Sequence, residues 1–277
     1  MAGESVGILV RDWRQRRRRS QLDVAIAADL SSRHLSFIET GRSTPSRRMI
    51  ERLCEELEVP LRRRNELYLA AGYAPVHEER PLTELGSARS AVEAVLSGHE
   101  PYPAVAVNVH WEMLAANRPM TMFLADVPER LRRPRLNLLT ATLHPDGLAS
   151  RVRNYEQWHA HVVRRIRRQR ERTAAPGLDD LLAEVEAYPI PAGADQVAPD
   201  LSPRDVAVPL LLTSEAGDLS FYYVLSVIGA PRDITLEEIA VESFFPADET
   251  TRTMLLALAQ AQRPAENGAG ISRPPVT

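Results

Sequence analysis

The sequence predicts two domains: an all-α domain of five short helices and, after it, an α+β domain built on an antiparallel sheet. A length of 277 residues suits about two domains. In the first 75 residues the apolar side chains recur at helical spacing, whereas from Tyr102 onward they alternate in the manner of strands. The predicted parts are an all-α domain over 1–75, a helical connector over 76–101, an α+β domain over 102–262 and a disordered tail over 263–277.

Serines and stop signals divide the all-α domain into its five helices. Ser20, Ser31 and Ser46 stand where N-caps are expected, and Gly41 and Pro60 stand at stops. The apolar groups between these signals lie within 8–13, 21–28, 35–38, 49–57 and 61–71.

Two groups of strands flank a helical middle in the second domain. The turn signal Glu215-Ala216-Gly217-Asp218 makes a hairpin of the strands on either side of it. The predicted strands cover 105–109, 111–115, 206–213, 219–228 and 239–245. The predicted helices cover 151–172, 178–187 and 248–262. Strands grouped around helices in this way predict an α+β fold.

The composition is that of an ordinary globular protein, with 44% apolar and 26% charged residues. No stretch approaches the roughly 18 apolar residues of a membrane span, and residues 1–10 lack the pattern of a secretory signal. We therefore predict a cytoplasmic protein without a membrane partner. Cys54 is the only cysteine, which excludes an intramolecular disulfide and a multi-cysteine metal site; its helical spacing predicts core packing.

Charge is distributed unevenly along the chain. The first 50 residues contain ten arginines and five acidic residues, so their net charge is +5 while that of the whole chain is −3. A basic end on an acidic body indicates a polyanion partner for that end, or else a merely solvated arginine face. All 34 basic residues are arginine, which indicates coding bias, so arginine content alone does not decide between the two.

Residues 20–41 predict two short helices joined by a tight turn. Ala25 provides a small side chain at the helix crossing, and Asp29 is one of the few non-glycine residue types that tolerate a left-handed turn. Leu30, Leu35 and Ile38 bury the second helix against the first. The second helix then presents four side chains outward: Ser32, Arg33, Ser36 and Phe37.

This segment resembles the phage-repressor (XRE) class of helix-turn-helix domains. The pattern S-Q-x3-A-x5-S-x3-L-S-x-I-E-x-G-R-x2-P-S is matched from Ser20 to Ser46, and the resemblance extends over residues 5–73. Asp29 is the one departure, since the family prefers glycine there. The resemblance implies that the second helix enters the major groove of double-stranded operator DNA.

Each outward residue then has an expected role on DNA. Arg33 can donate a bidentate pair to guanine, with Ser32 and His34 as flanking readers. Phe37 either touches a thymine methyl group or packs against the domain. The resemblance implies that Gln21 bonds a phosphate or a base edge and that Glu39 braces the helix. The predicted DNA-binding set is Gln21, Ser31, Ser32, Arg33, His34, Ser36, Phe37, Arg42 and Arg47, of which Ser31, Arg42 and Arg47 would hold phosphates.

An arginine cluster precedes the motif. It is either a solvated helix end or a source of attraction to the DNA backbone. Because one helix-turn-helix unit grips only a few base pairs, a homodimer on a two-fold repeated site is expected. The cluster comprises Arg14, Arg16, Arg17, Arg18 and Arg19.

Short blocks along nearly the whole chain resemble the MmyB-like family of regulators. They include Pro60-Leu61-Arg62-x-Arg64-Asn65, Leu69-Ala70-Ala71-Gly72-Tyr73-Ala74-Pro75, Trp111-x5-Asn117, Leu143-His144-Pro145-Asp146-Gly147, Asn154-x3-Trp158-x2-His161 and Glu242-Ser243-Phe244-Phe245-Pro246. The resemblance implies a C-terminal sensor domain of PAS-like fold that binds a small apolar ligand, with fatty acids as the suggested class. The predicted ligand-binding residues are Trp111, Asn117, Asn154, Trp158 and His161.

The helix predicted over 151–172 is amphipathic. Its apolar stripe holds Trp158, which either belongs to the plain core or walls a ligand pocket. His161 lies off that stripe and could bond a neighbouring loop instead of a ligand. The carboxylate of an acid ligand would need a cation or donors, for which Arg151, Arg153, Asn154 and His161 are candidates by position. The polar face carries Arg164, Arg167 and Arg168, which could meet DNA or a subunit.

Enzyme motifs are absent from the sequence. It contains no H-E-x-x-H, G-x-S-x-G, P-loop or G-x-G-x-x-G pattern, so we predict no catalysis, no metal site and no cofactor. The function predicted is a sequence-specific DNA-binding transcription regulator that senses a small apolar effector such as a fatty acid. The alternative is a DNA-binding protein whose second domain only dimerises or recruits another protein.

Overall fold

The computed structural model describes residues 4–191, 208–215 and 217–261. Its first domain consists of the five helices that the sequence predicts. They are α1 (Val6–Arg16), α2 (Gln21–Ala27), α3 (Ser32–Glu39), α4 (Arg47–Glu56) and α5 (Leu61–Ala70).

Local capping explains where these helices begin. Ser31 and Ser46 each accept a hydrogen bond from a backbone N–H of the first turn, and Ser20 forms a capping box with Asp23. Asp29 adopts the left-handed conformation expected of it, at φ +55°.

The apolar stripes of the five helices meet in one core. Ala25, Leu35 and Ile38 are fully buried there, as the sequence predicts, while Leu30 is only partly buried. Cys54 is also fully buried, and that burial raises the pKa of its thiol to about 12. The cysteine is therefore a packing residue, which confirms the prediction.

The second domain surrounds a five-stranded sheet with helices. Its strands are β1 (Ala104–Val107), β2 (Met113–Ala116), β3 (Leu210–Ser214), β4 (Gly217–Val227) and β5 (Ala240–Pro246). Its helices are α6 (Gly86–Gly98), α7 (Arg118–Phe123), α8 (Glu129–Arg132), α9 (Leu138–Leu143), α10 (Tyr155–Thr173), α11 (Leu178–Glu186), α12 (Ile234–Glu238) and α13 (Glu249–Ala261). The predicted α+β class is confirmed.

The strand order is β2-β1-β5-β4-β3, and every neighbouring pair is antiparallel. Because side chains alternate across a strand, the sheet has two distinct faces. Its inner face, with Val105 and Phe221, packs against α9, α10 and α11 in the main core. Its outer face, with Ala104 and Val241, is covered by α6 through Val92 and Leu96.

Several boundaries differ from the predictions for reasons outside the local sequence. The second strand begins at Met113 and not at Trp111, because Trp111 lies in the hairpin turn at φ +61°. The helix expected from 151 begins at Tyr155, after a 3-10 turn over Ala149–Arg151. Ala216, Gln262, the start of the strand predicted over 206–213 and the tail over 263–277 lie outside the described residues.

The segment expected as a connector is fastened to the second domain. Besides α6, which covers the sheet, it contributes Arg80, whose Nε donates to Asp233 at 3.0 Å. The Glu78 carbonyl also accepts from the Ile234 N–H. The stretch 76–101 therefore does more than join the two parts of the chain.

The first domain docks on the second along a polar seam. Arg16 and Arg17 each donate to a backbone carbonyl at the C-terminal end of α10, of Arg170 and Arg172 respectively, at 3.1 Å. Arg63 donates to the next such carbonyl, that of Ala174. The Arg170 carbonyl also accepts from the Ala174 N–H, and the positive charge of the three guanidinium groups suits the negative end of the helix dipole.

A second set of seam contacts joins α5 to α12. Arg62 donates to Glu238 at 2.7 Å and also to Glu79, while the Leu61 N–H donates to Glu237 at 2.7 Å.

Within the part of the chain that the structure describes, no helix is both long and apolar enough to cross a membrane.

Candidate DNA interface and ligand cavity

The outward face of α3 is accessible. Ser32 and Arg33 are exposed, while Ser36 and Phe37 are partly buried, so all four lie where the sequence predicts. The guanidinium groups of Arg33 and Arg42 both lie over the Phe37 ring, at 5.3 and 5.9 Å from its centroid. Phe37 therefore supports two cations, a role that sequence reasoning did not assign to it.

Behind α3, a buried carboxylate ties three helices together. Glu39 is only 3% exposed and accepts from Arg14 Nε at 2.7 Å and from Gln21 Nε2 at 2.8 Å. Burial alone would raise the pKa of Glu39, but the hydrogen bonds from Arg14 and Gln21 outweigh it and hold that pKa below its ordinary value. Glu39 braces the helix, in agreement with the interpretation from the sequence.

Three predicted DNA contacts are already engaged within the domain. The Gln21 amide donates to Glu39, the Ser31 hydroxyl caps α3 by accepting from the His34 N–H, and Arg47 donates to the Ala74 carbonyl at 3.1 Å. The DNA contacts of these three residues stay predictions. They would be made by the side-chain atoms that these hydrogen bonds leave free.

Most of the arginine cluster before the motif makes contacts within the protein, while its attraction to the DNA backbone stays a prediction. Arg14 bonds Glu39, Arg19 donates to the Glu56 carbonyl at 2.9 Å, and Arg17 donates to the Leu57 carbonyl at 2.8 Å. With Arg16 and Arg17 also reaching α10, most of the cluster closes the first domain and attaches it to the second. Such distant partners carry no local sequence signal.

Two predicted ligand-binding asparagines hold the fold together. Asn117 caps α7 and accepts from the Ala104 N–H, while it donates to the carbonyls of Leu96 and Tyr102. Asn154 donates to the Pro209 carbonyl and accepts from the Leu211 N–H. Both are buried, and neither lines any of the three cavities described below.

Trp158 and His161 belong to an aromatic cluster on the inner face of the sheet. Trp158 is buried, as its stripe predicts, and stacks on His161 with a centroid distance of 5.2 Å. His161 Nε2 lies 2.7 Å from the Tyr223 hydroxyl. Burial and the nearby arginines, chiefly Arg165, lower the pKa of His161 to about 4. The imidazole is therefore neutral at neutral pH.

Arg165 joins this cluster to a cavity. Its guanidinium lies 4.7 Å from the Tyr223 ring centroid and 5.4 Å from that of Trp111, and it donates to buried Glu242 at 2.6 Å. Trp111, a predicted ligand-binding residue, lines the same cavity as Arg165.

This cavity, of about 430 Å³, lies between the two domains, and we call it the seam cavity. Arg17, Arg62 and Arg63 line it from the first domain. A larger space of about 840 Å³ adjoins it beside the β1–β2 hairpin and shares Arg62 and Glu238. A third, of about 180 Å³, lies by α7 and α13 and includes Arg151.

Sequence reasoning missed most of the seam cavity. Arg165, Arg168 and Arg172 line it from α10, and Leu225 and Val227 line it from β4. The spacing of three and four residues between these arginines places them on one helix stripe. That spacing was the one available signal, but it does not reveal what the stripe faces.

Metal binding has no visible basis in the described part of the chain. Among residues 4–191, 208–215 and 217–261 no group of three or more histidine, cysteine, aspartate or glutamate side chains could hold a metal ion.

The first domain presents an accessible helix and docks on an α+β domain, and a cavity lies between the two. This arrangement defines a helix-turn-helix regulator with a ligand-binding domain. Residues 5–67 match a family described as a helix-turn-helix domain. Residues 88–258 match the MmyB-like transcription regulator ligand binding domain. Since that match covers more than half of the chain, the protein belongs to the MmyB-like family of transcription regulators, and the resemblance is confirmed.

The two matches together make the chain a ligand-responsive DNA-binding regulator. Both families are transcription-regulator domains, not enzyme families. No curated protein matches the chain at a significant level.

Proposed function

We propose that the protein is a sequence-specific transcription regulator of the XRE class that binds an operator in cytoplasmic DNA as a homodimer. Its second domain would sense a small apolar effector such as a fatty acid and would catalyse no reaction. The observation that carries the proposal is that α3 is exposed, with Arg33 and Arg42 held over Phe37. The domain that presents α3 is also bound to the end of α10, through Arg16 and Arg17.

The DNA half of the proposal rests on the fit of α3 to the major groove. An α-helix fits that groove, and side chains near its start reach base edges. Arg33 lies in the first turn of α3 and is exposed, so a bidentate pair with guanine is within its chemistry. One such helix contacts only a few base pairs, and two copies on a repeated site would supply the affinity of a regulator.

The sensing half rests on the second domain and the seam. A five-stranded antiparallel sheet with helices across its inner face supports the PAS-like interpretation. The main core is filled with side chains, and the seam cavity lies where the sheet, α10 and the first domain meet. A ligand that prefers one docking of the domains would shift operator affinity by linkage, with a coupling of about 1–3 kcal/mol.

A selection experiment tests the DNA half. The purified full chain is incubated with random double-stranded DNA, and bound fragments are sequenced over several rounds. We expect enrichment of a two-fold repeated motif. Recovery of fragments without a shared motif would contradict sequence-specific binding.

Extraction of the purified protein tests the sensing half. Organic extraction followed by mass spectrometry should recover a small apolar molecule, and adding it back should change affinity for the selected motif. A protein that carries no such molecule, and whose DNA affinity responds to none added, would not be a sensor of this class.

A second candidate function has one observation in its favour. Tyr222, Val224 and Phe245 are exposed on the outer face of the sheet, beyond the part that α6 covers. Exposed apolar side chains grouped in this way are typical of interaction surfaces. A domain that only dimerises or recruits a protein would use this face, and its DNA affinity would not respond to any extracted molecule.

A further inference from the structure

We propose that Gly7 is a positioning residue for DNA recognition. Because it has no side chain, α1 lies directly against the carbonyl end of α3 and thereby sets the direction in which α3 enters the major groove. This inference rests on the proposed function, since it requires that α3 reads the operator. Gly7 acts through α3 and does not itself contact DNA.

The contact at Gly7 leaves no room for a side chain. Gly7 is buried in the second position of α1, and its backbone is helical, so no turn requires a glycine there. A Cβ at Gly7 would lie 2.2 Å from the Ile38 carbonyl oxygen and 3.1 Å from the Glu39 carbonyl oxygen, whereas ordinary contacts lie at 3.4–4 Å. Because glycine is a poor helix former, this close approach explains its presence in α1 better than helix propensity does.

The end of α3 is held in place on its other side. The Ile38 carbonyl accepts from the Gly41 N–H at 3.0 Å, so turning that carbonyl away from Gly7 would break this hydrogen bond. The Ile38 side chain is fully buried in the core of the first domain. An added methyl group at Gly7 would therefore meet backbone atoms that have no easy way to move.

Gly7 belongs to a stripe of α1 that faces α3. Gly7, Arg11 and Arg14 follow one another at intervals of four and three residues, which places them on one side of the helix. Arg14 donates to Glu39 at 2.7 Å, and Arg11 Nε lies 3.7 Å from the same carboxylate. α1 therefore holds the end of α3 at two levels, by backbone contact at Gly7 and by charge up to two turns later.

The C-terminal end of α1 is held by the second domain. Arg16 and Arg17 donate to carbonyls at the end of α10, both at 3.1 Å. The position of α1, and through Gly7 that of α3, is therefore defined relative to the second domain. A change in docking that tilts α1 would tilt α3 with it, since no gap separates the two backbones at Gly7.

Base recognition is sensitive to small displacements of α3. A bidentate pair between Arg33 and guanine needs both hydrogen bonds in line. The methyl group of Gly7→Ala needs about 1 Å more room, which exceeds the roughly 0.5 Å to which binding groups are held. Arg33 precedes Ile38 by about 7.5 Å along α3, so a tilt at the Ile38 end also moves the end that reads bases.

Fluorescence anisotropy on the full chain tests the proposal. Wild type and Gly7→Ala are titrated with the selected operator and with a scrambled duplex, and a stoichiometric titration gives the active fraction, so that unfolded protein does not affect the dissociation constants. We expect Gly7→Ala to bind the operator about tenfold more weakly, the effect of one lost base contact. Its affinity for scrambled duplex should change by less than about twofold, because phosphate contacts depend on charges that the variant keeps.

Gly98→Ala is the matched control. It adds the same methyl group at the end of α6, where it meets no group of the described chain within 4 Å beyond its own helix backbone. We expect both of its affinities to equal those of the wild type. If Gly98→Ala weakened operator binding as much as Gly7→Ala does, the close contact with α3 would not be the cause and the proposal would fall.

The ratio of the two affinities separates positioning from stability. A variant that only destabilises the first domain has a lower melting temperature and a lower active fraction, but its folded molecules keep the wild-type ratio of operator to scrambled affinity. That result for Gly7→Ala would overturn the proposal. Operator duplexes with single base-pair changes add a second measurement, since Gly7→Ala should relax specificity at the same positions as Arg33→Ala.

Glu39→Gln provides a second variant that adds no volume. It keeps the shape of the side chain but removes the charge that Arg11 and Arg14 bind, so α1 holds the end of α3 less firmly. We expect operator affinity to fall about fivefold, while scrambled affinity stays equal or rises because a negative charge is lost. If Gly7→Ala yields too few folded molecules to measure, an unchanged affinity ratio in Glu39→Gln would overturn the proposal.

The outcomes also distinguish this proposal from the proposed function. If the wild type prefers the selected operator and folded Gly7→Ala keeps that preference, Gly7 does not position α3, and the proposed function stands. If selection from random DNA yields no motif for the wild type, sequence-specific recognition itself fails, and the role of Gly7 in it fails with it.

Discussion

Arg33 is exposed on α3 and has a side chain that could distinguish one base from another. It stands in the first turn of α3, and its guanidinium lies over the Phe37 ring, 5.3 Å from the ring centroid. Phe37 restricts where the guanidinium can go, so less conformational freedom is lost when it meets a base. The sequence alone predicted the outward direction of Arg33, because helix periodicity fixes it, but not this support.

We therefore expect Arg33→Ala to weaken specific DNA binding by about 1–3 kcal/mol, the value of one bidentate base contact. Binding to random duplex should change far less. The measurement is fluorescence anisotropy with the selected operator and with a scrambled duplex at one salt concentration. Arg133→Ala, directly after α8 in the second domain and likewise exposed, is the control. An equal loss on both duplexes would reduce Arg33 to a phosphate contact.

His161 makes a second prediction at this scale. Its pKa is lowered to about 4 by burial and by the arginines around it, so the folded protein binds a proton at this site only in strong acid. The unfolded chain would protonate near the ordinary value of 6.5. The stability that neutral His161 contributes is present above that value and is lost as the pH falls towards 4.

NMR titration of histidine-labelled protein checks this directly. We expect the His161 imidazole to remain neutral at pH 5. Tyr223→Phe, which removes the hydroxyl 2.7 Å from Nε2, identifies the signal by its shift. A His161 signal that titrates near pH 6.5 would contradict the buried environment described for it.

At the scale of elements, the features that local sequence predicts differ from those that depend on contacts with distant residues. The sequence predicts α1 to α5 well for two reasons. Ser20, Ser31 and Ser46 mark the starts of α2, α3 and α4, and the apolar residues of all five helices recur at regular helical spacing. The start of β2 could not be predicted from local sequence. Trp111 lies in the turn before the strand, and its carbonyl accepts from the N–H of Leu138, which is distant in sequence. Nor could the packing of α6 on the sheet be predicted, since it depends on Val92 and Leu96 meeting residues of β1 and β5.

The site shows the same division. α3 is a continuous segment, so its exposed face could be derived from periodicity. The seam cavity is lined by residues from Arg17 to Ala240, and no window of sequence contains them together. Asn117 is a further case: the family resemblance marks it, but only the fold shows that its side chain joins β1, α6 and α7.

Asn117→Ala tests that structural role. The variant removes the acceptor of two N–H groups, those of Ala104 and Met120, and the donor to the Leu96 and Tyr102 carbonyls, so we expect the free energy of unfolding of the second domain to fall by about 2–4 kcal/mol. Chemical denaturation followed by tryptophan fluorescence measures the loss. Asn117→Asp keeps the acceptor of the Ala104 and Met120 N–H groups and should retain part of the stability. Unchanged stability with lost ligand binding would instead assign Asn117 to the ligand site.

At the scale of the whole molecule, the seam decides whether two domains behave as one. Its contacts are mostly charged hydrogen bonds, with Arg62 at their centre between Glu79 and Glu238. These bonds also raise the pKa of Arg62, which keeps its charge at any physiological pH. Polar seams of this kind can change their docking more readily than an apolar core can, which suits a regulator that must respond to a ligand.

Arg62→Ala should uncouple the domains. Removing this guanidinium leaves Glu238 at the seam without its partner while the apolar cores of both domains stay intact. We expect a single calorimetric transition to separate into two, with the first domain melting about 4–8 °C lower, the shift that roughly 1 kcal/mol produces in a domain of this size. Arg89→Ala, which breaks the exposed pair with Glu93 on α6, should leave the melting profile unchanged. If Arg62→Ala melts in one transition at the wild-type temperature, Arg62 is not the residue that couples the domains, and the coupling lies in the seam contacts of Arg16, Arg17 and Arg63 with the end of α10.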